Sequence, residues 1–210
     1  MKHRNTLLFC IGVFSCFYLF GGAPAAEGTD RHTVVEPKIS VKAAYHPVLR
    51  IPLRIHLGKS AWRPVEFIPV AEEISNIWLT QAGICFETEI VQHDRPTETG
   101  FDVWFSPRIE EQPEYNGLFK GEQDMHVRDV PILGAAKHPA RSSTARTAAH
   151  EIGHALGLRH RQDSDDNLMR SKTYGWLLNK EEVRRARKSA LRKALPDLEP
   201  QRCRVTIQYE

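Results

Sequence analysis

His150-Glu151-Ile152-Gly153-His154-Ala155-Leu156-Gly157-Leu158-Arg159-His160 joins helix-forming residues to three imidazoles at fixed spacing. On an α-helix His150 and His154 stand one turn apart, so both rings project to the same side and can share one metal ion. Ala149, Ile152 and Leu156 fall on the opposite stripe, suited to a core. Gly157 can adopt the left-handed conformation that ends a helix, and the chain can then turn back so that His160 supplies a third nitrogen. Three neutral imidazoles with an open fourth position describe a catalytic zinc site, with one ion expected. Glu151 lies beside these ligands but projects differently. It is placed to act as general base on a water acidified by the zinc, then as proton donor to the leaving amine. In a chain of this composition H-E-x-x-H arises by chance in roughly one case in 30; adding Gly157 and His160 lowers that to about one in 10,000.

The extended pattern H-E-x-x-H-x-x-G-x-x-H resembles the signature of the metzincin zinc peptidases, whose downstream methionine turn Asn167-Leu168-Met169 matches nine residues past His160. The short spacing and the run Glu-Ile-Gly-His-Ala-Leu-Gly-Leu are most similar to the matrixin-like branch. That resemblance implies an α+β metzincin-like catalytic domain: a small twisted mixed sheet, an active-site helix and a C-terminal helix. It also implies that Met169 forms a floor beneath the histidines, that Ser171 to Leu178 wall the main specificity pocket, and that Tyr174 is a candidate to assist an oxyanion, while its spacing alone favours a pocket-wall or surface tyrosine. The sequence departs from the matrixin pattern at Arg161 and at Arg170-Ser171. No cysteine lies between Ala26 and Ile84, so a thiolate latency device is absent, and the subfamily is left open.

Outward from the motif, alternation of Leu49, Ile51, Leu53, Ile55 and Leu57 with polar residues predicts a half-buried strand that Pro52 would begin. Pro69, Glu72, Glu73 and the stripe Val70, Ile74, Ile77, Trp78 predict a helix from 69 to 82, closed by Gly83. Strands are expected at 84–91 and 101–105, and shorter ones at 118–120 and 125–130. Ser142, Ser143 and Thr144 offer caps for the motif helix. A last helix starts after Asn179 and runs toward Pro196. Its cations occupy what the apolar stripe leaves free, which reads as a solvated face rather than a nucleic-acid surface.

The chain has 210 residues, 41% hydrophobic and 26% charged, with a formal charge of +3. This is the composition of one ordinary globular domain and excludes disorder, coiled coil and a large multidomain assembly. Lys2, His3 and Arg4, the apolar run Leu7–Phe20 and Ala23-Pro24-Ala25 read as a secretory signal over residues 1–25. The run falls short of the roughly 20 residues that span a membrane. Secretion, or export to a periplasm, is therefore expected, with no membrane contact after cleavage. Residues 26–46 read as a leader or short pro-segment, 47–196 as the metallopeptidase domain and 197–210 as a C-terminal extension. The signal takes Cys10 and Cys16, leaving Cys85 and Cys203 to pair as a disulfide or to remain separate thiols. Asp163, Asp165 and Asn167 suggest a calcium loop, but Leu168 and Tyr174 stand where its Gly and Glu are required, so a polar turn is expected.

The function implied is a secreted zinc endopeptidase acting on an extended peptide or protein substrate laid along an edge strand near Leu118 to Lys120. A non-catalytic zinc-binding domain of the same fold and a zinc amidohydrolase acting on non-peptide amides are the alternatives. Nothing in the sequence specifies the oligomeric state.

Overall fold

In the computed structural model the residues described are 31–35, 45–132, 142–171, 175–195 and 203–209. The elements run β1 (Arg31–Val35), β2 (Leu49–His56), α1 (Pro64–Ala82), β3 (Ile84–Val91), β4 (Phe101–Ser106), β5 (Gly117–Gly121), β6 (Asp124–Arg128), α2 (Ser143–Ala155), α3 (Lys180–Ala190) and β7 (Val205–Tyr209). This is the α+β arrangement expected from the sequence. Seven strands form one sheet in the order β1-β7-β3-β2-β4-β6-β5. The five inner strands are mutually parallel, and β1 and β5 close the two edges in antiparallel pairing.

The alternation in β2 divides the sheet into two faces. Leu49, Ile51, Leu53 and Ile55 are buried with Phe86, Phe101, Val103, Phe105, Met125 and Val127 in one core, completed by Phe67, Ile74 and Trp78 of α1 and Ala148, Ala149 and Ile152 of α2. The other face is polar. Arg50 and Arg54 pair with Glu87 and Glu89 at 3.2 and 2.7 Å, and His56 meets Asp102 at 2.7 Å beneath the stacked ring of Trp104. His56 is thus a satisfied structural histidine.

α1 begins five residues earlier than the sequence pattern indicated. Pro64, not Pro69, occupies its first turn, and Pro69 lies inside the helix. Burial of Phe67 against Trp62 and Phe105 explains the extension, since that packing outweighs the hydrogen bond Pro69 cannot donate. Pro52 likewise sits within β2 rather than at its start. β4 joins β2 only from Leu53 onward, so Pro52 lies where the sheet has one neighbour. α3 stops at Ala190 instead of continuing toward Pro196, which lies outside the described residues.

Strand structure also extends beyond the 47–196 span. β1 comes from the segment read as a leader and pairs with β7, from the segment read as an extension. A five-residue edge strand held through its backbone leaves little periodicity to detect. Cys85 and Cys203 form a disulfide that fastens the approach to β7 onto β3. No helix among the described residues is long and apolar enough to cross a membrane.

Candidate metal and catalytic centre

α2 is anchored at its start before it reaches the histidines. Ser142 caps it by accepting from the Ala145 N–H, the Glu73 carboxylate accepts the Ser142 N–H, and the Thr144 hydroxyl donates to the Asp129 carbonyl at 2.8 Å. At its end Gly157 takes φ 83°, with its N–H on the His154 carbonyl and the Leu158 N–H on the Gly153 carbonyl, both at 2.9 Å. This pair of bonds is a Schellman ending, and it turns the chain so that His160 faces back toward the helix.

His150, His154 and His160 converge, grading from buried to exposed. The His160 Nε2 atom lies 3.2 Å from the Nε2 of both His150 and His154. His150 Nδ1 meets the Leu168 carbonyl at 2.7 Å and His154 Nδ1 meets the Leu158 carbonyl at 3.0 Å. A carbonyl only accepts, so each Nδ1 carries the proton and each Nε2 of a neutral ring presents a bare lone pair. Burial pushes the His150 imidazolium down to about 3, with Arg146 acting the same way, and burial also lowers His154. Neutral rings whose lone pairs meet at one point form a cation site. Imidazole nitrogens bound tetrahedrally at about 2.0–2.1 Å from zinc stand about 3.3 Å apart, close to the spacing seen here. Among the described residues no fourth histidine, cysteine or carboxylate joins the three.

Glu151 is buried beside this cluster and outside it. Burial raises its carboxyl to about 8, against the pull of Arg146 and a hydrogen bond from the Phe119 backbone. Its carboxylate lies against β5, where a β-carbon on Gly117 would come within 2.3 Å of Oε1. Among the described residues β5 is one of the two edge strands of the sheet, with no strand on its outer side. Asn116 O accepts from Arg128 N across to β6, so by antiparallel alternation Gly117 and Phe119 turn their N–H and C=O groups to the open side. The Phe119 ring flanks His154 at 6.2 Å.

Met169 is fully buried, with its sulfur against Gly153 and alongside Trp78. Tyr174 lies outside the described residues, as does the segment 1–25 read as a signal. The acidic turn is occupied by protein partners: Asp163 by Arg161, Asp165 by Arg170, and Asn167 by both Glu182 and the Met169 N–H. It is the polar turn expected, and Arg161 also reaches Glu181 and Glu182 at the start of α3.

The sequence pattern missed three contributors. Arg146 donates to the carbonyls of Gly175, Leu168 and Arg170 at 2.9, 3.2 and 3.2 Å, holding the segment after the motif. Gln81 of α1 donates to Trp176 O and accepts from Leu178 N. Gly117 makes room for Glu151. Arg146 precedes His150 by four residues and so shares its helix face, which is the one available sequence signal. The other two depend on contacts across the fold.

A sheet with its helices on one face and an H-E-x-x-H helix set against an antiparallel edge strand defines a metzincin-like zinc peptidase. Residues 75–192, more than half of the chain, match the matrixin family model, and the chain belongs to that family. Among solved structures it is similar in fold to archaemetzincin from Methanopyrus kandleri, with a TM-score of 0.50 and 9% identity, over 70% of this chain and 98% of that one. No curated protein matches the sequence. Family and fold together point to a zinc metallopeptidase, and the His triad suits its metal.

Proposed function

We propose that this protein is a secreted zinc endopeptidase that hydrolyses peptide bonds by direct attack of water, with Glu151 carrying the proton. The single observation behind this reading is the placement of Glu151: a buried carboxylate beside the three converging imidazoles, outside their ligand cluster, and seated on the free edge strand. A purely structural metal site has no use for such a group.

His150, His154 and His160 would hold one zinc through Nε2, the first two kept in the correct tautomer by the Leu168 and Leu158 carbonyls. A zinc so held supplies Lewis acidity, polarising a peptide carbonyl and making water acidic near neutral pH. The substrate would extend along β5, pairing with the outward backbone groups of Gly117 and with the Phe119 carbonyl, while the Phe119 N–H stays with Glu151. Glu151 accepts the proton lost as water adds to the scissile carbonyl, then delivers it to the departing amine nitrogen. Residues 171–178 would wall the specificity pocket, with Tyr174 as its candidate pocket or oxyanion residue; Arg146 holds Arg170 and Gly175, and Gln81 holds Trp176 and Leu178. Secretion rests on the signal pattern at residues 1–25.

The purified protein, assayed on a mixed peptide library, should cleave and should stop cleaving with a chelator. Glu151→Gln should retain zinc while hydrolysis falls at least 100-fold, the usual scale of acid–base catalysis. His154→Ala should lose the zinc. Near-normal turnover in Glu151→Gln, or chelator-sensitive cleavage confined to non-peptide amides, would overturn the proposal. N-terminal sequencing of exported protein tests cleavage after Ala25 or Ala26.

A further inference from the structure

We infer that Gly117 is a positioning residue for Glu151: the absence of a side chain at 117 on the edge strand gives the catalytic carboxylate its seat. The inference rests on the reading of Glu151 as proton carrier and extends it to a second element.

A β-carbon built on Gly117 would lie 2.3 Å from Glu151 Oε1 and 2.7 Å from its Cδ and Cγ. Carbon contacts settle near 3.5–4.0 Å, so no side chain fits while Glu151 stays where it is. The backbone does not itself call for glycine there. Among the described residues the glycines with left-handed φ are Gly83, Gly100, Gly121 and Gly157, and Gly117 is not one of them. Glycine weakens a strand, yet it stands at the first residue of β5. The three atoms nearest that β-carbon all belong to the Glu151 side chain, none to backbone. An added methyl would therefore displace the carboxylate before it disturbed the sheet.

Phe119 completes the seat. Its side chain shares the α2-facing side of β5 with residue 117, and its backbone hydrogen-bonds the same carboxylate. Its N–H points to the outer side of β5, where no strand among the described residues protects it. Glu151 is thus gripped by one backbone group of β5 and admitted by the missing side chain two residues earlier, so the strand that would receive the substrate also aims the base.

The test uses the full chain. Gly117→Ala should bind zinc with unchanged stoichiometry and show at least a 10-fold fall in kcat with KM changed less than threefold. In a Glu151→Ala background, which removes Cγ, Cδ and Oε1 together, the fall in melting temperature caused by Gly117→Ala should shrink at least threefold. In metal-free protein, amide exchange at Phe119 should accelerate in both Gly117→Ala and Glu151→Ala. An equal fall in melting temperature with and without the Glu151→Ala change, or Phe119 exchange unchanged in Glu151→Ala, overturns the inference. The second measurement leaves residue 117 intact and so does not depend on whether Gly117→Ala folds. Full activity in Glu151→Gln would instead defeat the functional reading, while Phe119 exchange would still report on the seat.

Discussion

The sulfur of Met169 packs against the backbone of Gly153, at a point where a β-carbon on residue 153 would lie 2.4 Å from Sδ and 3.0 Å from Cε. Gly153 is the residue before His154, so the helix that carries the ligands is closed from beneath by a side chain arriving from the loop after His160.

Gly153→Ala should drive Met169 from this position. Overpacking of this kind costs about 1–3 kcal/mol, and the Leu168 carbonyl that orients His150 is attached to the residue being displaced. The expected result is a lower melting temperature together with weaker zinc binding, read by thermal unfolding and competitive chelator titration. Unaltered affinity for zinc would separate Met169 from the ligand geometry.

Arg146 supplies donors to three carbonyls of the segment 168–175. Arg146→Gln removes the forked donor and leaves part-buried acceptors unsatisfied, at about 1–3 kcal/mol. His150 keeps its own bond to Leu168, so zinc should stay bound while KM for peptide substrates rises. Steady-state kinetics beside zinc analysis distinguish this from simple loss of the metal.

Pro69→Ala should stabilise the protein. Pro69 is exposed inside α1, four residues after Val65, whose carbonyl an N–H at position 69 would reach. Proline in a helix interior costs up to about 3 kcal/mol relative to alanine. Phe67 and Val70 remain buried beside it, so the fold should be kept and denaturant unfolding should shift to a higher midpoint.

Cys203→Ser should lower stability without releasing zinc. The disulfide closes a loop of sequence separation 118, for which chain-entropy reasoning gives about 4–5 kcal/mol as an upper figure. β7 would then depend on its pairing with β3 and β1 and on burial of Val205 and Ile207. Peptide mapping without reduction checks the pairing, and free thiols at both positions would contradict it.

Much of this molecule is written locally. Two histidines one turn apart, a glycine able to take positive φ and a third histidine after the turn specify the ligand set, because helix periodicity and a Schellman ending are short-range geometry. Period-two alternation likewise marked β2, and Asn179 marked the start of α3, where it forms a capping box with Glu182. Where packing overrides propensity the sequence misleads. Pro69 resembles a helix start, but burial of Phe67 carries α1 back to Pro64, and Pro52 resembles a strand boundary until the staggered start of β4 gives it a place inside β2.

Only the tertiary structure decided which residues meet across the chain. That β1 and β7 pair, that Arg146 and Gln81 hold the segment after the methionine turn, and that Gly117 faces Glu151 all depend on contacts between residues 24 or more positions apart. Such contacts leave no periodic trace, since a backbone carbonyl accepts from any donor and a glycine records only that a side chain is missing. The metal ligands come from one helix and the turn beyond it. The seat of the base comes from the far edge of a seven-stranded sheet, and it exists only once five parallel strands have brought β5 against α2.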